Sequence, residues 1–190
     1  MRVLIRSMGI AAITLQTVIL LVVYAVVRPS SGSWLNTIVG SVGLGFMVVM
    51  LIYSIARRSK TLRRVAKLSV WLEFHIFCGF EGVILVVIHS LPMLFDPHVP
   101  PPLNPGLWSL AFVLIVFFSG LFGRYLFIWV PQTLDGRLKF VPASQRNRVT
   151  AVFRWWIVIH RFIAATMYIL AAAHVALGLM FSPRLGVLLP

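Results

Sequence analysis

Acidic residues are almost missing: Glu73, Glu81, Asp96 and Asp135 are the four in 190 residues, against 17 lysines and arginines. Charged residues make up 11% of the chain, less than half of the roughly 25% of an ordinary soluble domain. A soluble globular fold is thereby excluded before any motif is read. Cysteine is nearly absent too. The single Cys78 cannot close an internal disulfide, and there is no Cys-x-x-Cys-His run for covalent cofactor attachment. Internal repeats, low-complexity tracts and glycine-rich phosphate loops are also lacking, and no loop is long enough to fold alone. A single bundle without an attached soluble domain is expected.

What is present is apolar length. Hydrophobic residues make up 60% of the chain, and runs of more than about 18 apolar residues recur, the mark of membrane spans. Five spans are predicted, at about 9–27, 35–56, 68–91, 107–130 and 155–181, each long enough to cross an apolar layer of about 30 Å. Pro29, Pro92, the stretch from Pro97 to Pro105, Pro131 and Pro183 punctuate them. Arg2 and Arg6 ahead of the first run resemble a signal peptide. The run is longer than a signal core, however, and Arg28-Pro29 follows instead of a small-residue cleavage site, so a retained helix is expected. The net charge of +13 points to topology and not to nucleic acid. With the N-terminus cytoplasmic, 13 cations fall inside (Arg2, Arg6, Arg57, Arg58, Lys60, Arg63, Arg64, Lys67, Arg137, Lys139, Arg146, Arg148, Arg154) and two, Arg28 and Arg184, outside. The expected fold is thus an all-α integral membrane bundle of five transmembrane helices in a cytoplasmic (inner) membrane, with an external C-terminus.

Four of the five histidines lie within spans: His75 and His89 in the third, His160 and His174 in the fifth. Both pairs are 14 residues apart. Fourteen steps of about 100° fall only about 40° short of four turns, so each pair shares a face, with a rise of about 21 Å. The two spans run in the same direction, so His75 can meet His160 towards the cytoplasmic side and His89 can meet His174 towards the outer side. Paired neutral imidazoles at two depths suit the axial ligation of two haem irons. A lone transmembrane histidine is more often a helix–helix hydrogen bond or a proton relay; the equal spacing of two pairs favours ligation. Gly79 and Gly82 follow His75 on its face, and Ala164 and Ala171 hold the corresponding places between His160 and His174. Small residues there would let a flat ring approach the backbone, although ordinary helix packing uses the same types.

The histidine pairs resemble the di-haem core of the cytochrome b superfamily, which includes bc-type cytochrome b and the b561-like and ferric-reductase-like membrane domains. Trp71-Leu-Glu-Phe-His-Ile-Phe-Cys-Gly-Phe-Glu-Gly through His89-Ser90 resembles the first ligand helix, and Gly120-Leu-Phe-Gly-Arg-Tyr resembles the helix between the ligand helices in small bacterial relatives. The likeness covers about 68–180; the first two spans carry no motif. It implies two non-covalent b-type haems, bis-histidine ligation, and electron passage between a quinone pool and a redox partner subunit of a membrane complex. The Pro-Glu-Trp-Tyr segment of the bc-type quinol site is missing, as is any flavin or nicotinamide domain, so the chain cannot itself take hydride from NAD(P)H.

Arg124 and Arg161 lie within spans, where each should reach either a haem propionate or the lipid phosphates. Glu81, midway between the two histidine levels, fits a proton path or a quinone pocket, with simple hydrogen bonding equally open. Glu73 reads as interfacial, His98 as a surface residue of the external loop, and Trp108, Trp129, Trp155 and Trp156 as an aromatic belt. The chain supplies no nucleophile, so catalysis is expected to reside in a partner or at a quinone site. Two alternatives stand beside this reading: a self-sufficient transmembrane reductase, for example of ferric iron, and a metal transporter or structural anchor without haem.

Overall fold

In a computed structural model of the chain, residues 2–94, 104–129 and 143–180 are described, with side chains at 11–94, 104–124 and 150–180. Asp96, His98, Val130, the loop with Asp135, Arg137 and Lys139, Phe181 and Arg184 lie outside the described residues. Among the described residues seven helices follow one another: α1 (Arg2–Val27), α2 (Trp34–Val49), α3 (Ile52–Ala56), α4 (Lys60–Val65), α5 (Leu68–Leu94), α6 (Pro105–Trp129) and α7 (Ala143–Met180). They form two compact units, Met1–Pro101 with α1 to α5 and Pro102–Pro190 with α6 and α7. Trp34–Ala56, Leu68–Leu94, Pro105–Arg124 and Thr150–Met180 are long and apolar enough to cross a membrane, and Ala11–Val27 is a shorter apolar helix. The chain is therefore an all-helical, multi-pass membrane protein. Many of its large apolar side chains accordingly point outwards: Phe162 is 73% exposed, Ile169 69% and Trp155 68%, as lipid-facing residues are.

The first unit is built on α2 packed against α5. The two backbones approach at a pair of glycines: a Cβ on Gly82 would lie 3.0 Å from Met47 Cγ and 3.2 Å from the Gly43 carbonyl, and one on Gly43 would lie 3.1 Å from Leu85 Cβ. Tyr24, Val39, Leu85 and Ile88 form the buried cluster beside this seam. Helix α1 ends where Arg28 turns left-handed (φ 46°) and its N–H caps the Tyr24 carbonyl at 3.0 Å, after which Pro29 bars continuation. Helix α2 starts behind Ser33, whose hydroxyl accepts from the Asn36 N–H, a side-chain N-cap.

The helices depart from the predicted spans in several places. The second span is interrupted at Met50–Leu51, where Tyr53 N–H bonds the Met50 carbonyl (3.3 Å) and Ser54 N–H bonds that of Leu51 (2.9 Å). The tightened, three-residue bonding is that of a 3₁₀ turn. Pro92 does not end the third span; α5 continues to Leu94, because a proline in the last turn removes a single ladder bond. Pro105 opens α6 instead of preceding it, in the first-turn position where a missing N–H costs nothing.

In the second unit, the Trp156 indole N–H donates to the Ser119 carbonyl (2.9 Å), and the Ser109 hydroxyl lies 3.0 Å from the Pro105 carbonyl and 3.2 Å from that of Leu170. Met167 of α7 is buried to 1% exposure, and Leu110, Val113 and Val116 of α6 are also buried. Helix α7 begins about three turns ahead of the predicted fifth span.

Candidate functional site

Helix α5 carries His75 and His89, both half-buried, and each turns Nδ1 to a main-chain carbonyl. His75 Nδ1 lies 3.0 Å from the Met50 carbonyl and His89 Nδ1 2.8 Å from the Asn36 carbonyl. A carbonyl can only accept, so Nδ1 is the protonated nitrogen in both rings, and in the neutral imidazole the lone pair resides on Nε2. Donation of Nδ1–H to a backbone carbonyl is how metal-ligating histidines are commonly oriented, since it fixes the tautomer and raises the basicity of the other nitrogen. The Tyr53 ring lies beside His75, centroids 5.3 Å apart.

Both acceptors belong to the α2 segment, in which sequence reading finds no motif. Asn36 is 1% exposed; its Oδ1 accepts from the Tyr24 hydroxyl (2.8 Å) and its Nδ2 donates to the Ser31 carbonyl (2.9 Å). Gly40 provides the opening through which His89 reaches α2: a Cβ there would come within 2.6 Å of His89 Nδ1 and 2.8 Å of its Cε1. The visible signal in the sequence is a glycine cluster, Gly40, Gly43 and Gly45, but no spacing rule ties it to a residue almost fifty positions away.

Glu81, buried at 4% exposure, accepts from Gln16 Nε2 of α1 at 3.0 Å, which is the hydrogen-bonding reading of that residue. Cys78, one turn before it, is buried and free of disulfide. Gly82 is filled by α2, as described above, and Gly79 has Met50 Sδ at 3.7 Å from its would-be Cβ, ordinary contact. Glu73 is exposed.

In the second unit, His160 is half-buried, with Nδ1 3.1 Å from the Ser119 hydroxyl of α6. The Trp156 indole stacks on it, with centroids 5.4 Å apart and planes inclined by 27°. Two glycines of the Gly120-Leu-Phe-Gly-Arg-Tyr segment face these rings. A Cβ on Gly120 would lie 3.6 Å from His160 Cε1, and one on Gly123 would overlap the Trp156 indole. Trp156 is therefore a packing partner of the histidine, beyond the belt role predicted for it, whereas Trp155 and Trp108 are exposed. His174, Ala164 and Ala171 are half-buried, and Arg124 and Arg161 are exposed. Asn104 precedes α6, with Oδ1 accepting from the Gly106 N–H (2.9 Å); its Nδ2 is buried without a hydrogen-bond partner among the described residues.

Among the described residues no three or more His, Cys, Asp or Glu side chains gather as a metal cage. A haem does not need one, because the porphyrin supplies four donors and the protein only the axial pair. An apolar groove of about 440 Å³ lies against Phe122, Trp155, Trp156 and Ile159, with no carboxylate or hydroxyl among the described residues that line it. No protein-family model, curated protein or solved structure matches the chain.

Proposed function

We propose that the chain is a membrane cytochrome b subunit that carries electrons across the bilayer through two b-type haems, between a quinone pool and a partner redox subunit. His75 with His160 and His89 with His174 would hold the irons, as the matched 14-residue spacing suggests. The protein lies in this reading in the cytoplasmic membrane, crosses it five times with α1 as the first span, and has its N-terminus in the cytoplasm and its C-terminus outside. The observation that carries the reading is the shared chemistry of His75 and His89: each gives Nδ1–H to a main-chain carbonyl, which leaves Nε2 as the basic nitrogen a ferrous or ferric iron takes. When bound, haem supplies reversible one-electron chemistry at its iron. The residues contribute orientation and electrostatics. Asn36 and Met50 carbonyls aim the α5 rings, Ser119 and Trp156 hold the His160 ring, and exposed Arg124 and Arg161 have the reach to pair with propionates. The unpaired Asn104 amide is a donor that a bound carboxylate or quinone carbonyl would satisfy.

A reduced-minus-oxidised spectrum and pyridine haemochrome assay on the purified chain should give two haem b per polypeptide. None would overturn the reading. His89→Ala should retain one haem and insert normally, while retention of both would overturn the ligand assignment.

A further inference from the structure

We infer that α2 is the positioning helix for both α5 histidines: the Asn36 and Met50 carbonyls set their tautomer and ring plane, and Gly40 is the residue that gives His89 access. The haem half of this inference rests on the function proposed above; the tautomer half does not. Asn36 and Met50 are 14 residues apart, as are His75 and His89, and the start of one helix meets the end of the other. Helical phase then places both hydrogen bonds on one antiparallel seam.

A helix carbonyl keeps a second lone pair beside the bond from the amide four residues on, but the side chain at that position crowds the approach of an outside donor. The chain overcomes this in two different ways. At Asn36 the residue four on is Gly40, and the atoms nearest its would-be Cβ are all in the His89 ring, so the absence of a side chain opens a lateral approach to the carbonyl. At Met50 the helix itself gives way: Ser54 N–H turns to the Leu51 carbonyl, and the Met50 carbonyl keeps only a 3.3 Å contact from Tyr53 N–H beside the His75 bond. Asn36 is further held by Tyr24 and Ser31 through its side chain, so its carbonyl cannot swing away. A histidine that merely ties two membrane helices together has no need to use Nδ1 at both positions.

The test uses the full chain, labelled with ¹⁵N-histidine in lipid bilayers, with and without added haem. Solid-state NMR of the haem-free wild type should show Nδ1-protonated, Nε2-unprotonated rings for His75 and His89, assigned by His→Ala variants. Gly40→Ala should lose that signature at His89 alone and weaken haem binding at that position ten- to a hundredfold, the usual effect of losing a partner that orients a metal ligand. Gly45→Ala, on the same helix with nothing within 4 Å of its Cβ, should change neither. If Gly40→Ala does not accumulate, Gly40→Ala/His89→Ala should accumulate like His89→Ala, because the clashing ring is gone; failure of the double variant overturns the inference. So does a Gly40→Ala protein with the wild-type tautomer and two haems. A wild type with the expected tautomers but no haem would sink the proposed function and leave the positioning role standing.

Discussion

At the scale of single residues, the consequential positions are those that omit atoms. Gly82 has Met47 Cγ on one side and a main-chain carbonyl, Gly43 O, on the other. The methionine can yield by rotation but the carbonyl cannot move without its helix. Gly82→Val should therefore lower stability by about 1–3 kcal/mol, the usual cost of overpacking, read as a lower unfolding temperature in detergent; an unchanged midpoint would show that α2 and α5 do not approach this closely. Tyr24→Phe removes the donor to Asn36 Oδ1 and should cost about 0.6–1.7 kcal/mol, the range for polar bonds between membrane helices.

At the scale of elements, α1 is attached to the rest of its unit by few contacts, so Gln16 to Glu81 carries unusual weight. Gln16→Leu leaves a buried carboxyl without its donor and should cost about 1–3 kcal/mol. Glu81→Gln, whose amide oxygen can still accept, should cost clearly less. Equal losses would mean that the bond does not dock α1. The predicted helices were legible because apolar length and proline positions are local properties: four of the five expected spans coincide with helices able to cross a membrane. The histidines stood out in the sequence because the same 14-residue spacing occurs in two spans. The partners of those histidines did not, since Asn36 and Met50 contribute main-chain oxygens that no letter of the sequence encodes, and the break at Met50–Leu51 contains neither glycine nor proline. Pro92 and Pro105 misled the boundaries by a turn or less because proline is tolerated at helix ends.

At the scale of the whole molecule, cations gather on the segment from Arg57 to Lys67, where short α4 is capped by Ser59 and Trp71 Nε1 donates to its Leu62 carbonyl (3.1 Å). Arg57, Arg58, Lys60, Arg63, Arg64 and Lys67 are all exposed. Reporter fusions after position 64 should score cytoplasmic, and fusions in the turn at 30–32 should score external; the opposite pattern would invert the proposed topology. The α2 seam has one more consequence. Because both oxygens belong to the main chain, an apolar side chain of similar size at buried position 50 would leave the bond to His75 in place, but inserting one residue between 40 and 50 would swing one oxygen about 100° around the axis relative to the other. Along this stretch the exposed positions should tolerate respelling, Gly40, Gly43 and the buried Met47 should not, and no position should tolerate a change of length.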